Sequence, residues 1–521
     1  VLGTPNVGEY DYESVVAYPF GYGLSYAQFA LSNVGVERQG DRDYVVSATV
    51  TNTSDTYSGK YSVPIYIAKP YTDYCRDNQI QIPSVMLLDF GKTQTLAPGE
   101  SETLTITVDE KYFASYDAYG AQGYVLQEGD YYVLVGGNAH EAVNNLLMAK
   151  QADGVSIQTD KMVGSGDASY AVKFHLDFDD EKYAYSDVVS SLDGVTYARV
   201  TNLFDFSDIN RYSGRGDNSV EYYDRDNWAA VSMDIENGAV QLSLTEQMVR
   251  EMYAQVPEGV GKYTMDNQIP QAYSQPIPQD DGEYPTYGQS AGLMLVDMRV
   301  DDNGDPISFF DPLWDTFLDQ LTWEETVLLC SNGAHLTEAI ASTAKPETND
   351  ENGPNGFGGW ALKNGYYTNN TGLAYRMEAA AGHVDAEGNL TADADQDGYK
   401  KPTGFPANGI LAAAMNKTLS YEVGQIIGED GIWSGCSNLY GLGLNIHRSP
   451  YLGRTCEYYS EDAMLTGLVG AEETKGIEEH GVHVLNKHCA LNDQEDNRHG
   501  VCGWISEQAL RENYLRAFEL P

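Results

Sequence analysis

The sequence is poor in basic residues. Its 521 residues include 31 Lys and Arg against 77 Asp and Glu, which gives a formal net charge of −46. A nucleic-acid-binding protein needs a basic face, and a field this acidic repels phosphate groups and anionic membrane surfaces alike. We therefore predict no nucleic-acid partner and interpret the charge as a solvated acidic surface.

The sequence also lacks long apolar runs, paired cysteines and a targeting signal. No run approaches the ~18 residues of a membrane span, and the start at Val1 shows no signal-peptide pattern. The six cysteines include no C-x-x-C pair, which excludes a disulfide scaffold. We predict no membrane span in this chain and buried free thiols, and leave open a disulfide among the last four cysteines. The compartment also stays open, with the cytoplasm favoured over secretion or surface anchoring.

Residues 1–150 have the period of β-strands. Apolar residues alternate with polar ones in the runs 46–50, 63–67 and 104–108, and turn-forming residues separate these runs. This spacing predicts an antiparallel β-sandwich. Pro64 lies inside the second run and has no N–H to donate to a neighbouring strand, so it predicts an edge strand.

The remaining residues divide at about 310. For residues 151–310 we predict a β-rich module followed by an irregular linker that lies on other domains. In 311–521 the apolar period is helical, and the short apolar segments 442–446 and 482–485 predict strands between the helices. This alternation predicts a parallel sheet with outer helices, open or closed into a barrel. Helix starts are predicted at Asp311, at a Thr322–Glu325 capping box and at Ser506.

Each of the two predicted strands is followed by a dense polar cluster. The first cluster runs over residues 447–457 and the second over 487–498. In a parallel α/β barrel, functional side chains gather at the carboxyl ends of the strands. Two interpretations are open at this point. One is an internal network of ion pairs that holds the loops, and the other is a site for a polyhydroxylated ligand.

Several motifs resemble glycoside hydrolase family 3, over residues 18–140 and 311–521. The resemblance implies a multidomain fold: an N-terminal fibronectin-III-like β-sandwich, a β-rich linker module, and a partial (β/α)8 TIM-like barrel. Most members have the barrel first, so this order resembles the permuted branch. The motifs are Tyr18-Pro19-Phe20-Gly21-Tyr22-Gly23-Leu24-Ser25-Tyr26, Phe405-Pro406 with Ala412-Ala413-Ala414-Met415-Asn416, Gly453-Arg454-Thr455-Cys456-Glu457 with Ser460-Glu461-Asp462, and Lys487-His488 with Asn492, Gln494, Glu495, Asn497 and Arg498.

The resemblance also implies residue roles. Arg454, Lys487 and His488 would hold hydroxyl groups of the sugar in the −1 subsite. The family's D-G-P segment, which carries a sugar-binding Asp, is matched by Asn352-Gly353-Pro354 and preceded by Asp350. Asn352 and Asp350 are therefore the candidates for that contact, although the usual Asp is replaced or displaced.

Three carboxylates are expected to lie next to these residues without binding the sugar directly. Glu457 is expected to orient Arg454, and Asp493 and Glu495 to lie outside direct sugar contact. The catalytic pair that retention requires, an Asp nucleophile and an acid/base Glu, is expected outside residues 1–521. No cofactor is implied.

The resemblance implies a fragment of a retaining β-glycosidase. The predicted type is a β-glucosidase that acts on terminal non-reducing β-linked sugars of oligosaccharides or of aryl and alkyl glycosides. The expected partners are the missing barrel segment and an α/β sandwich domain, on the same polypeptide or a companion chain, and the chain alone is expected to be inactive. The alternative is a non-catalytic glycan-binding or scaffold protein with the same fold.

One acidic run resembles the start of a calcium-binding loop. Asp393, Asp395 and Asp397 alternate and are followed by Gly398, as in the first half of such a loop. The twelfth position is Gly404 instead of the bidentate Glu. A solvated acidic loop and a calcium site are therefore both open.

Overall fold

The computed structural model describes most of the chain in separate ranges. They are 16–178, 204–211, 286–308, 310–331, 336–357, 403–434, 436–448, 452–496 and 503–521, with the short stretches 182–184, 188–189, 196–197, 245–246, 385–386, 391 and 498–499. The strands are β1 (Phe29–Gln39), β2 (Asp43–Asn52), β3 (Ser62–Ala68), β4 (Met86–Lys92), β5 (Ser101–Asp109), β6 (Ser115–Asp117), β7 (Gly123–Gln127), β8 (Gly129–Val135), β9 (Ala171–Leu176), β10 (Lys182–Ala184), β11 (Val188–Val189), β12 (Thr196–Tyr197), β13 (Leu336–Thr337), β14 (Thr348–Asn352), β15 (Asn438–Tyr440) and β16 (His483–Val484). The helices are α1 (Asp73–Asp77), α2 (Ala139–Ala152), α3 (Leu313–Leu318), α4 (Trp323–Ser331), α5 (Asn408–Ala413), α6 (Lys417–Ser434), α7 (Ala463–Glu478), α8 (Glu507–Ala509), a π-helical turn (Leu510–Leu515) and α9 (Arg516–Glu519).

The N-terminal part is an antiparallel sandwich of two sheets. One sheet has the order β1-β2-β5 and the other the order β4-β3-β8-β9. The alternation seen in the sequence sets the faces, since Tyr44, Val46, Ala48 and Val50 of β2 are all buried. The fourth strand of the second sheet, β9, comes from beyond residue 150 and pairs with β8.

The prediction that Pro64 marks an edge strand is wrong. Strand β3 lies inside its sheet and pairs with both β4 and β8. The ladder with β8 begins only at Ile65, whereas Pro64 faces Phe90 of β4. The missing N–H of Pro64 therefore falls where β3 has a neighbour on one side only.

A mostly parallel sheet positions the polar clusters in the C-terminal part. Its order is β13-β14-β15-β16, with β14, β15 and β16 parallel. The predicted strand at 442–446 is displaced, because the strand paired in this sheet is β15, which ends at Tyr440. Downstream, Gly443 makes parallel bridges to Tyr458 and to Lys487, which brings the two polar clusters to either side of one backbone segment.

The predicted helix starts are confirmed. The Asp311 carboxylate accepts from the Leu313 N–H at 2.8 Å. Thr322 and Glu325 form the reciprocal capping box, with distances of 2.9 and 3.1 Å. Ser506 Oγ accepts from the N–H of Ala509 at 3.3 Å. Each cap satisfies N–H groups that the first helical turn leaves without an intrahelical partner.

The sandwich and the helical part share one apolar core. Tyr66, Leu87 and Phe90 of the sandwich belong to the same buried cluster as Met464 of α7 and Ile427 of α6. Polar contacts accompany this packing: Lys417 Nζ lies 2.5 Å from Asp89 Oδ1, and Lys92 Nζ donates to the Ala414 carbonyl at 2.6 Å. A second cluster, which includes Phe113, lies within the sandwich and its flanking segments.

The cysteines that the structure describes are free: Cys75 and Cys436 are buried as predicted, and Cys330, Cys456 and Cys489 are exposed. Within the described ranges, no helix is long and apolar enough to cross a membrane. Cys502 and the calcium candidates Asp393, Asp395 and Asp397 lie outside the described residues.

Candidate sugar-binding site

Lys487 and Asn352 meet at the carboxyl ends of two parallel strands. Asn352 is the last residue of β14, and Lys487 follows β16 by three residues. Lys487 Nζ donates to Asn352 Oδ1 at 2.5 Å. Because β15 separates the two strands in the sheet, this hydrogen bond bridges the sheet end across the middle strand.

Arg454 is held by a carboxylate three residues along the chain. Its Nε and Nη2 each donate to one oxygen of Glu457, both at 2.7 Å. Both residues belong to a short 3-10 turn and its cap. Glu495 lies 4.0 Å from Arg454 Nη1 and 3.0 Å from Arg498 Nη1. These arginines therefore engage both carboxylates of the cluster, and Glu457 fixes the plane of the Arg454 guanidinium.

His488 is oriented by a buried tyrosine. Its Nδ1 lies 3.2 Å from the Tyr458 hydroxyl, which also accepts from Asn492 Nδ2 at 2.9 Å. Burial and the positive charges of Arg454 and Lys487 lower the pKa of His488 to about 4, so the ring is neutral at pH 7. The Tyr458 hydroxyl therefore links the imidazole ring to the Asn492 side chain and fixes the orientation of the ring.

The backbone at Lys487-His488 is fixed by Asn445. The Asn445 side chain accepts from the His488 N–H at 2.7 Å and donates to the carbonyls of His488 and Ala490, both at 2.9 Å. Asn445 is fully buried. Its hydrogen bonds therefore satisfy polar backbone that would otherwise be costly to bury, and they hold the two candidate sugar-binding side chains at fixed positions.

Backbone and side-chain contacts bring the segments of Arg454, Lys487 and His488 together, because Gly443 bridges to both Tyr458 and Lys487 and the Tyr458 hydroxyl contacts His488 Nδ1. Burial lowers the pKa of Lys487, the charge of Glu457 opposes this shift, and the charge of Arg454 adds to it. The same two cations act on His488. Three candidates from two separate polar clusters thus form one group with Asn352.

The hydrogen bonds of Asp350 and Asp493 go to residues outside this group. Asp350 is buried in β14, and its carboxylate accepts from the Asn438 amide of β15. Its neighbour Glu351 is also buried, and desolvation together with the charge of Asp350 raises the pKa of Glu351 to about 7. Asp493 accepts from the Tyr514 hydroxyl at 2.5 Å.

The sequence motifs do not indicate the residues that orient the site. Asn445 and Tyr458 contact residues 43 and 30 positions away, respectively. Spacing along the chain does not indicate such pairs. The one sequence feature that points to these two residues is their position. Asn445 lies in the apolar segment that precedes the first cluster, and Tyr458 comes directly after Glu457.

Comparisons with known proteins agree with this fold. Residues 62–139 match the model of the fibronectin type III-like domain. The chain is 26% identical to a β-glucosidase of Ruminococcus albus and 27% identical to β-glucosidase A of Butyrivibrio fibrisolvens, in each case over 97% of this chain. It spans 41% and 50% of the lengths of these two relatives.

A solved structure has the same fold over nearly the whole chain. It is a β-glucosidase from Paenibacillus barengoltzii, with a TM-score of 0.55 and 23% identity, covering 96% of this chain and 43% of that one. The fold of this chain is therefore that of multidomain proteins that contain a fibronectin type III-like sandwich. Within it, the resemblance to glycoside hydrolase family 3 is confirmed, and the chain is β-glucosidase-like.

Proposed function

We propose that this chain carries the −1 sugar-binding residues of a retaining β-glycosidase of the β-glucosidase type, which acts on terminal non-reducing β-linked sugars. The observation that carries the proposal is the group of Arg454, Lys487, His488 and Asn352 at the carboxyl end of a parallel sheet. This is where α/β barrels place their functional side chains. The printed names of the two bacterial relatives support the same activity.

The geometry also bears on the two interpretations of the polar clusters. Arg454, Glu457, Glu495 and Arg498 form an internal ion-pair network. Lys487 differs, because its contact is a neutral amide and its remaining N–H groups have no partner among the described residues. An internal ion-pair network does not need these donors, whereas the hydroxyl groups of a ligand can accept hydrogen bonds from them.

We propose that the catalytic carboxylates come from further parts of the polypeptide or from a companion chain. Retention requires two carboxyl groups about 5–5.5 Å apart with access to the anomeric carbon. In the described part of the cluster, Glu457 and Glu495 are both bound to arginine. The chain spans half or less of its two bacterial relatives, which leaves room there for a barrel segment and an α/β sandwich domain.

The test is turnover of an aryl β-glucoside. The purified chain is expected to show none, and addition of the remaining segments of its parent polypeptide should restore hydrolysis. Turnover by the chain alone, lost when one carboxylate within 311–521 is changed to its amide, would overturn the placement of the nucleophile. A parent polypeptide that binds sugar without hydrolysing it would favour the glycan-binding alternative.

A further inference from the structure

A cleft lies between the sandwich and the C-terminal helical segment, and none of the candidate sugar-binding residues lines it. Its volume is about 940 Å³, which is the size of a small-molecule site, and such sites occur preferentially where structural units meet. The sandwich contributes Tyr66 of β3 and the loop 81–85 that leads into β4. The opposite wall consists of residues from the segment 506–513 and of Glu461 and Asp462, which precede α7.

Hydrogen bonds tie the two walls of this cleft together. Gln508 Oε1 accepts from the Gln81 N–H at 2.9 Å, and Gln508 Nε2 donates to the Gln81 carbonyl at 2.8 Å. The carbonyl of Phe20, another lining residue, accepts from the Ala139 N–H at 2.9 Å. The loop residues Pro83 and Ser84 are exposed. The walls are therefore fixed, whereas the entrance is open to solvent.

Much of the lining is apolar. Phe20, Val85 and Met86 are half-buried in it, and Ile82 and Leu87 are buried. A ligand with an apolar body would remove the half-buried surface from water, which is favourable in proportion to the area covered.

One polar atom in the wall lacks a partner. Tyr66 is 1% exposed, and its hydroxyl forms no hydrogen bond with the described residues. A buried Tyr hydroxyl usually has a partner. Burial and the charge of Asp462 raise the pKa of Tyr66, so the hydroxyl stays protonated and its oxygen can accept from a ligand.

The charged side chains of the lining are carboxylates, on Glu461, Asp462 and Glu512. The described part of the lining contains no Lys, Arg or His. Glu512 accepts from the Tyr116 N–H at 2.6 Å, and one oxygen of Asp462 accepts from the Leu465 N–H at 2.8 Å. Glu461 is exposed. The cleft therefore offers negatively charged acceptors beside an apolar surface.

We propose that this cleft binds a small organic cation, an ammonium group on an apolar body. An ammonium group has three donors and no acceptor, which suits a wall made of carboxylates and an unpartnered hydroxyl oxygen. Its hydrogen bonds to a carboxylate are charge-assisted and therefore of the stronger kind. This site needs nothing from the proposed sugar-binding function.

The helix that begins at this wall does not cancel the negative charge. Asp462 is the N-cap of α7, and a helix N-terminus carries roughly half a positive charge. Asp462 alone outweighs that charge, and Glu461 adds a second carboxylate. The local field therefore favours a cation over an anion of the same shape.

The experiment measures binding to the full chain by calorimetry at pH 7.5 in about 0.15 M salt, where charges farther apart than about 8 Å are largely screened. The probes are 2-phenylethylammonium, 2-phenylethanol and 3-phenylpropanoate, which share an apolar body and differ in charge. We expect the ammonium to bind about tenfold more tightly than the alcohol, because its hydrogen bonds are charge-assisted. No binding of the carboxylate is expected.

The diagnostic variant is Asp462→Asn, with Asp311→Asn as its matched control. Asn is as good an N-cap as Asp, so Asp462→Asn removes the charge while keeping the cap of α7. It should abolish the preference for the ammonium over the alcohol. Asp311 caps α3 and does not line the cleft, so Asp311→Asn should bind as wild type. Glu461→Gln, at an exposed position, is the second variant and should weaken ammonium binding by up to about fivefold.

A proton count provides an independent readout. Burial and the charge of Glu461 raise the pKa of Asp462 to about 6; the other titratable groups of the lining are Tyr66 and Glu512. An ammonium favours the ionised carboxylate, so its binding at pH 6 should release protons. Calorimetry in two buffers of different ionisation enthalpy detects this release, which should be absent at pH 8 and reduced in Asp462→Asn.

The inference is overturned if the ammonium binds no better than the alcohol, or if none of the probes binds. Undiminished ammonium binding in folded Asp462→Asn and Glu461→Gln would also contradict it. A basic peptide that binds where 2-phenylethylammonium does not would make the cleft a docking site for a protein segment and overturn the small-molecule assignment. None of these results bears on the sugar site, which sugar binding and turnover test separately.

Discussion

Lys487 is a partly buried cation whose direct contact is the amide of Asn352. Burial disfavours its charge, and the nearby Glu457 offsets part of that cost. A hydroxyl of a bound sugar would complete its hydrogen bonds. The Asn445 side chain fixes the adjoining His488 backbone and Asn352 accepts from the ammonium. The ammonium is therefore held in place before a ligand arrives, which reduces the entropy lost on binding.

In an intact enzyme, Lys487→Ala is expected to reduce kcat/KM while leaving the fold intact. One charged donor to a sugar contributes about 1.5–3 kcal/mol, which corresponds to a loss of roughly ten- to 150-fold. The control is Lys173→Ala, which removes an exposed lysine paired with Asp130 and Asp153 in the sandwich and should not change the kinetics. Unchanged kcat/KM in Lys487→Ala would remove this residue from the subsite.

Helix α7 packs closely against α6 and contains a buried carboxyl group. A Cβ atom on Gly424 would collide with the Glu473 carbonyl, and one on Gly476 with the Tyr421 carbonyl, so these glycines allow the two backbones to approach. Glu473 is 1% exposed and accepts from the Tyr459 hydroxyl at 2.7 Å. Burial raises the pKa of Glu473 to about 8, so the folded protein holds a proton there at neutral pH.

The protonation of Glu473 makes the stability of the protein depend on pH. An unfolded Glu has a pKa of about 4.3, so between that pH and about 8 the folded state binds the extra proton. The free energy of unfolding therefore falls as pH rises through this window. Glu473→Gln cannot ionise and retains an acceptor for Tyr459, so its Tm should drop less than the wild-type Tm between pH 5 and pH 8. Glu478→Gln, at an exposed position of the same helix, should behave as wild type, and equal slopes for all three proteins would contradict the assignment.

Local sequence patterns predicted individual strands and helix starts better than they predicted which strands pair with each other. Alternation placed β2, β3 and β5, and capping residues placed the starts of α3 and α4, because these signals depend on neighbours within a few positions. The position of β3 in its sheet depends on pairing with β8, more than 60 residues downstream. The Pro64 prediction failed for that reason. In the site, the resemblance of the motif Gly453-Arg454-Thr455-Cys456-Glu457 implied the Arg454–Glu457 pair, whereas Asn445 and Tyr458 act across tens of residues.

In the molecule as a whole, the sandwich and the helical part are joined by apolar packing. Phe90 is 1% exposed and belongs to the cluster that extends into α6 and α7. The Lys417 ammonium lies 5.3 Å from the centre of the Phe90 ring and also pairs with Asp89. Phe113 is equally buried but belongs to the other cluster. The two phenylalanines therefore distinguish the shared core from the core of the sandwich.

Tryptophan fluorescence can test this coupling, because all six tryptophans lie beyond residue 178 and the signal reports on the rest of the chain. Phe90→Ala removes packing shared with α6 and α7, and a buried Phe→Ala change costs about 3–5 kcal/mol. We expect it to lower the midpoint of the tryptophan-monitored unfolding transition by several degrees. Phe113→Ala should lower that midpoint less, because the packing it removes lies in the cluster of the sandwich. If Phe90→Ala leaves the tryptophan-monitored midpoint unchanged while circular dichroism detects weakening of the sandwich, the two parts unfold independently and the shared core does not couple them.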